Sequence, residues 1–166
     1  MNSNLTLNFS VDKENNKIKV ERTFAASLAN VWAAWTQPEL LDQWWAPRPW
    51  QTKTKSMDFK VGGTWLYAMV GPEGEAHWCR ADYKSIAPLN NYSALDAFCD
   101  ENGNITDPSF PRSLWNNTFK EIAAASTTVF IEIKYDTLAD LEKIIELGFK
   151  EGFTMAMGNL DELFSK

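Results

Sequence analysis

The chain has 166 residues, 45% of them hydrophobic and 23% charged, with a formal net charge of −6. That length is enough to bury a core, and the composition is that of one globular domain rather than a disordered segment. The acidic balance excludes the basic footprint a nucleic-acid surface needs, and it disfavours anionic membranes and polyanionic substrates.

Residues 1–16 are polar, and a frayed extension over 1–15 is expected, apart from a short apolar turn at 5–9. The opening MNSNLTLNFSVDKENNK has neither the basic-then-apolar order nor the cleavage site of a signal peptide. No window has the apolar length of a membrane span. Cys79 and Cys99 are too few for a disulfide framework, so a cytoplasmic protein with reduced thiols is expected.

Ile18, Val20, Arg22 and Phe24 alternate and predict a first strand over 17–25. Ser27 suits an N-cap, and Leu28, Val31, Trp32 and Trp35 follow at helical spacing. Pro38 opens a second short helix to Trp45, and Pro47 and Pro49 end it. Five of the eight tryptophans fall between Trp32 and Trp50 in this block. Large apolar rings with one N–H donor suit the wall of a cavity.

Strands follow over 50–60, 64–70, 75–86, 92–99, 114–125 and 127–135. Val61-Gly62-Gly63, Gly71-Pro72-Glu73-Gly74 and 88–91 separate the first four as turns, and 100–112 is a loop. Lys53, Lys55 and Lys60 read as the solvated face of a strand. From Thr137 to Phe164 the period becomes helical, with Leu138, Leu141, Ile145, Phe149, Ala156, Leu160 and Leu163 on one stripe and Phe153, Met157 and Phe164 widening it. Glu142, Glu146, Glu151, Asp161 and Glu162 read as its solvated face. Gly148 and Gly152 each weaken a helix by about 1 kcal/mol. They either let it approach the sheet closely, leave room for a ligand, or mark a mild bend. The expected fold is α+β: a curved antiparallel sheet of about six to seven strands round one long C-terminal helix, with two short helices after the first strand.

Four segments carry a resemblance: ERTFAASLANVWAAWTQPELLDQWWAP (21–47), MDFKVGGTWLYAMVGPEGE (57–75), DYKSIAPLNNYSALDAFCDENG (82–103) and EGFTMAMGNLDELF (151–164). Their order resembles the helix-grip superfamily called SRPBCC or START-like, and within it the activator-of-heat-shock-ATPase homologue family. The resemblance implies a cavity between sheet and long helix that admits small apolar ligands. Relatives include carriers, receptors, cyclases and co-chaperones, so it implies no single activity.

Strand alternation selects the lining. Trp65, Tyr67 and Met69 share one face. His77, Cys79, Ala81 and Tyr83 lie opposite the charged face of Trp78, Arg80, Asp82 and Lys84. Trp115, Asn117 and Phe119 share a third set. Over 92–99 the parity is open: either Asp96 and Phe98 or Leu95 and Ala97 face in, because a slip of one residue reverses the faces. Phe98, Trp45, Phe149 and Phe153 complete the candidate ligand-binding set. Apolar walls with a few polar tips are the chemistry of a small-molecule pocket.

His77 is the only histidine and the one weak catalytic candidate, a general base beside Tyr83 or Asp96. No G-x-S-x-G turn is present, one His and two separated Cys make no zinc site, and GGTW at 62–65 opens a strand rather than a helix, the wrong context for a phosphate loop. Cys79 and Cys99 are expected nearly opposite across the 88–91 turn. No metal or cofactor is expected. The first functional expectation is non-catalytic binding of a small hydrophobic or aromatic molecule. The second is a cyclase, dehydratase or hydrolase using His77, Tyr83 and Asn117. The third is a co-chaperone-like module docking a chaperone through a surface around Trp78, a patch that a homodimer would equally hide.

Overall fold

A computed structural model describes residues 7–165. The chain runs β1 (Leu7–Asp12), β2 (Lys17–Phe24), α1 (Leu28–Thr36), α2 (Pro38–Trp44), β3 (Gln51–Met57), β4 (Thr64–Val70), β5 (Ala76–Ala87), β6 (Asn91–Cys99), β7 (Ser113–Ala123), β8 (Ser126–Tyr135), α3 (Leu138–Glu146) and α4 (Phe149–Phe164). The eight strands form one antiparallel sheet in the order β1-β2-β8-β7-β6-β5-β4-β3. Only β2 and β8 pair across a long stretch of sequence; every other neighbour is joined by a turn or loop. The helices α1 and α2 carry the chain from β2 to the far edge, where β3 begins a meander that returns to β2.

Local chemistry explains the element ends. The Ser27 hydroxyl accepts from the Asn30 N–H at 3.2 Å and starts α1, and the Thr137 hydroxyl accepts from the Asp140 N–H at 3.1 Å and starts α3. Pro38 opens α2, where its missing N–H is no loss. Register shifts at Thr54/Ser56, Tyr83/Ser85 and Glu121/Ala123 are bulges that bend their strands and help curve the sheet.

The helices pack on the concave face. Ile18, Val20 and Phe24 of β2 and Val129, Ile131 and Ile133 of β8 meet Met157 and Leu160 of α4, all buried. Trp35 of α1 and Trp44 of α2 cross at 4.9 Å, nearly edge to face. Trp44 Nε1 donates to the Ala34 carbonyl at 2.8 Å. Asn159 of α4 donates to the Ala46 carbonyl at 3.0 Å, satisfying a backbone oxygen just past the end of α2 and tying the two helices together.

Four expectations need correction. Residues 7–12 are an edge strand on β2 rather than part of a frayed extension, so the strands number eight; residues 1–6, with part of the expected apolar turn at 5–9, lie outside the described residues. The long C-terminal helix is two helices, because Gly148 takes φ +90°, a left-handed conformation that ends one helix before the next begins. Asp161 is not on a solvated face: it pairs with Arg22 of β2, and both side chains are largely buried. Cys79 and Cys99 do not face each other. Cys79 lies opposite Phe98 and points to the concave side, while Cys99 pairs with Trp78 on the other face, and both thiols are free.

Candidate functional site

A half-open pocket of about 220 Å³ lies between the β4–β7 half of the sheet and the C-terminal helices. The sheet pairing explains why space remains there. One cross-strand row runs Tyr135, Ser113, Asp96, Ala81, Trp65, and its neighbour runs Phe98, Cys79, Tyr67. The residues beside Asp96 in its row are small, so its carboxyl is not crowded from either side. The register also resolves the parity of β6: Asp96 and Phe98 face in.

Aromatic side chains form the walls. Trp45, just past α2, is the hub: its ring centroid lies 5.6 Å from Trp65, 5.6 Å from Trp115 and 6.1 Å from Phe153. Its Nε1 donates to the Tyr67 hydroxyl at 3.1 Å, which fixes both rings. Phe149 and Phe153, one turn apart on α4, stack at 5.3 Å and close the side opposite the sheet. Trp115 Nε1 donates to the Ser113 hydroxyl at 3.1 Å, so the indole and hydroxyl satisfy one another.

The polar groups are few. The Asp96 carboxyl makes no hydrogen bond or ion pair with any described residue. Burial pushes it up to about 8, with nearby Asp82 raising it further and Arg112 drawing it down. That direction favours the protonated carboxyl. Burial pushes the Cys79 thiol up to about 12, with Asp96 adding to the effect, so it is not a thiolate nucleophile at neutral pH. Burial likewise raises Tyr67 and Tyr135, leaving both neutral donors. Among the described residues no histidine, lysine or arginine lines the pocket. Among the described residues no group of three or more His, Cys, Asp or Glu is arranged to hold a metal ion.

Of the residues selected from sequence, Trp45, Tyr67, Met69, Cys79, Phe98, Trp115, Phe149 and Phe153 line this pocket. Five do not. Trp65 is stacked behind Tyr67 at 3.9 Å. Tyr83, Asn117 and Phe119 face inward as expected but lie at the other end of the concave face, where Phe59, Tyr92 and Trp32 pack that end. His77 shares the inward parity, yet it sits near the start of β5 where the helices no longer cover the sheet; its exposed ring leans on Trp50 at 5.3 Å. It touches neither Tyr83 nor Asp96 through any hydrogen bond, so the general-base arrangement does not form. Trp78 is half-buried on the outer face with the Lys55 ammonium 5.8 Å from its ring.

Sequence reasoning missed Ser113, Tyr135, Ile144, Pro47 and Pro111, left Asp96 and Ala97 undecided, and offered room for a ligand as one of three readings of Gly152. Tyr135 was readable, since it continues the alternation of Ile131 and Ile133. Pro111 belongs to the 100–112 loop, whose path no periodicity encodes. A second hollow of about 370 Å³ lies against β1, β2, β7 and β8 on the outer face. Its wall mixes Lys19, Glu21 and Glu132 with Asn and Ser side chains, and no helix encloses it.

Comparison with known proteins agrees with this architecture. Residues 25–165 match the family described as Activator of Hsp90 ATPase homolog 1-like protein. A protein of Arthrobacter aurescens, solved in solution by NMR, is 25% identical with a TM-score of 0.88, covering 95% of this chain and 91% of that one. A crystal structure from Mycobacterium smegmatis is 25% identical with a TM-score of 0.86, covering 97% and 98%. A solution structure from Staphylococcus epidermidis is 26% identical with a TM-score of 0.81, covering 94% and 93%. No curated protein matches the chain. The matched span includes the helix pair, the sheet from β3 onward and both C-terminal helices, so the chain belongs to the family of Activator of Hsp90 ATPase homolog 1-like proteins.

Proposed function

We propose that this protein binds a small, largely aromatic molecule in the pocket beneath α4 and holds it without making or breaking covalent bonds. The supporting observation is the pocket itself: space enclosed by Trp45, Tyr67, Trp115, Phe149 and Phe153, with polar groups that can orient a guest but no paired nucleophile and base. Size narrows the guest. An apolar cavity of roughly 150 Å³ takes benzene, and drug-sized ligands fill about 300–1,000 Å³. A pocket of about 220 Å³ therefore suits one ring with a short side chain. A family fold of sheet wrapped on helix, which commonly receives hydrophobic ligands, supports the same reading.

The test has two parts. Gently purified protein is weighed by native mass spectrometry against its denatured mass, and a reproducible excess is expected. The protein is also titrated with 2-phenylethanol and followed by amide NMR shifts. Saturable shifts are expected around Tyr67, Asp96 and Phe153, and replacing Gly152 with Leu should abolish them by filling the pocket from α4. Shifts scattered over the outer surface, or undiminished in the Gly152→Leu protein, would refute the reading.

A further inference from the structure

Within this pocket reading, on which the inference rests, we propose that the ligand is an organic ammonium: a ring-bearing molecule whose protonated or quaternary nitrogen sits on Asp96 while its apolar body lies among the aromatic walls.

Among the described residues Asp96 is the only acidic one of the pocket wall, and no basic residue accompanies it. A carboxyl group placed in an apolar enclosure without a partner is unfavourable when ionised, so a structure that retains one leaves a favourable place for a cation. The small neighbours Ala81 and Ser113 leave room for a guest to reach its oxygens. The walls complement the same charge. Aromatic faces carry negative potential, and a cation within about 6 Å of a ring centroid is attracted to it. Trp45, Tyr67, Trp115, Phe149 and Phe153 surround the space, an arrangement that recognises ammonium groups and gives nothing comparable to a neutral one. An anionic guest would meet Asp96 with no Lys, Arg or His among the described wall residues to offset it.

Binding is then linked to pH, because the cation prefers the ionised carboxylate. The titratable groups facing Asp96 across the sheet are Tyr67 on β4, Cys79 and Tyr83 on β5, Tyr92 on β6 and Tyr135 on β8, and burial keeps all of them neutral through this range. Asp82 and Arg112, paired on the outer face at 3.0 Å, act through the sheet in opposite directions. The helices present Ile144, Phe149 and Phe153 to the pocket, none of them titratable.

The experiment compares three probes of one skeleton by NMR titration: 2-phenylethyltrimethylammonium, 2-phenylethanol and 3-phenylpropionate. The ammonium should bind at least about tenfold more tightly than the alcohol at pH 8, and the propionate least. Since the ammonium itself does not titrate, its affinity should climb about tenfold per pH unit below pH 8 and level off above it. Asp96→Asn should collapse the preference for ammonium over alcohol to below about threefold. The wild-type selectivity and pH profile decide the matter even if that variant folds poorly. Alcohol seating in the pocket as tightly as the ammonium, or an affinity that is flat with pH, overturns the ammonium assignment and leaves the pocket reading standing. No probe seating in the pocket at all overturns both.

Discussion

Asp96 shows how one side chain can oppose the stability of its own fold. An unfolded aspartate titrates near pH 4, whereas folded Asp96 is pushed up to about 8. Between those values the folded protein holds a proton that the unfolded chain has released, so stability falls as pH rises through the window. The slope from this group alone is at most about 1.4 kcal/mol per pH unit. Urea unfolding at about pH 5, 7 and 9 should therefore show Asp96→Asn gaining on the wild type as pH rises, with the gain levelling above pH 8. Taking the difference between the two proteins removes contributions from other carboxyls, such as Asp161, which burial also raises against the pull of Arg22. A difference that shrank with pH would mean that the carboxyl finds a cationic partner in solution.

At the scale of elements, the break between α3 and α4 rests on one residue. Gly148 adopts φ +90°, and a Cβ placed there would meet nothing closer than a Glu151 oxygen at 3.9 Å. The obstacle to a side chain is thus backbone conformation rather than space. Gly148→Ala should destabilise the protein by about 1–2 kcal/mol, seen as a lower midpoint in urea with an unchanged slope. The same residue marks a limit of sequence reasoning. The heptad-like stripe from Leu138 to Leu163 continues through the break, so periodicity reports one helix where the chain forms two. Strand positions were more legible. Thr64–Val70 emerges with the expected bounds because aromatic alternation lies between two glycine turns. β1 was not legible: LNFSVD is short and polar on one side, and what makes it a strand is the register offered by β2, a long-range partner that no local pattern reveals. The site divided likewise. Alternation identified which face of β4, β5 and β7 looks inward, but not where along that face the helices leave space, so Asn117 and Phe119 were grouped with Trp115 although only Trp115 reaches the pocket.

Across the whole molecule, the sheet and the last helix are joined by a charge pair as well as by apolar packing. Arg22 of β2 and Asp161 of α4 keep only 10% and 16% of their side chains exposed, and Arg22 Nε and Asp161 Oδ1 are buried without a partner among the described residues. Removing one member strands the other. Asp161→Asn should destabilise by about 3 kcal/mol, whereas the double replacement Arg22→Met with Asp161→Leu should recover most of that loss, because well-packed apolar side chains often match or exceed an imperfect buried pair. Thermal unfolding of the two variants side by side checks this, and a double variant weaker than the single one would contradict it. The packing also has a consequence for how such a molecule changes over time. None of the largest fully buried side chains, Trp35, Trp44, Phe24 and Met157 among them, lines the pocket. The two sets overlap only in part: Tyr67, Trp115 and Phe153 belong both to the buried core and to the chamber wall, whereas Met69 is half-buried and Phe98 exposed. Replacing Met69 or Phe98 reshapes the chamber while the fully buried interior that pays for folding stays intact, so one scaffold can exchange one guest for another in single steps, each of them a viable protein.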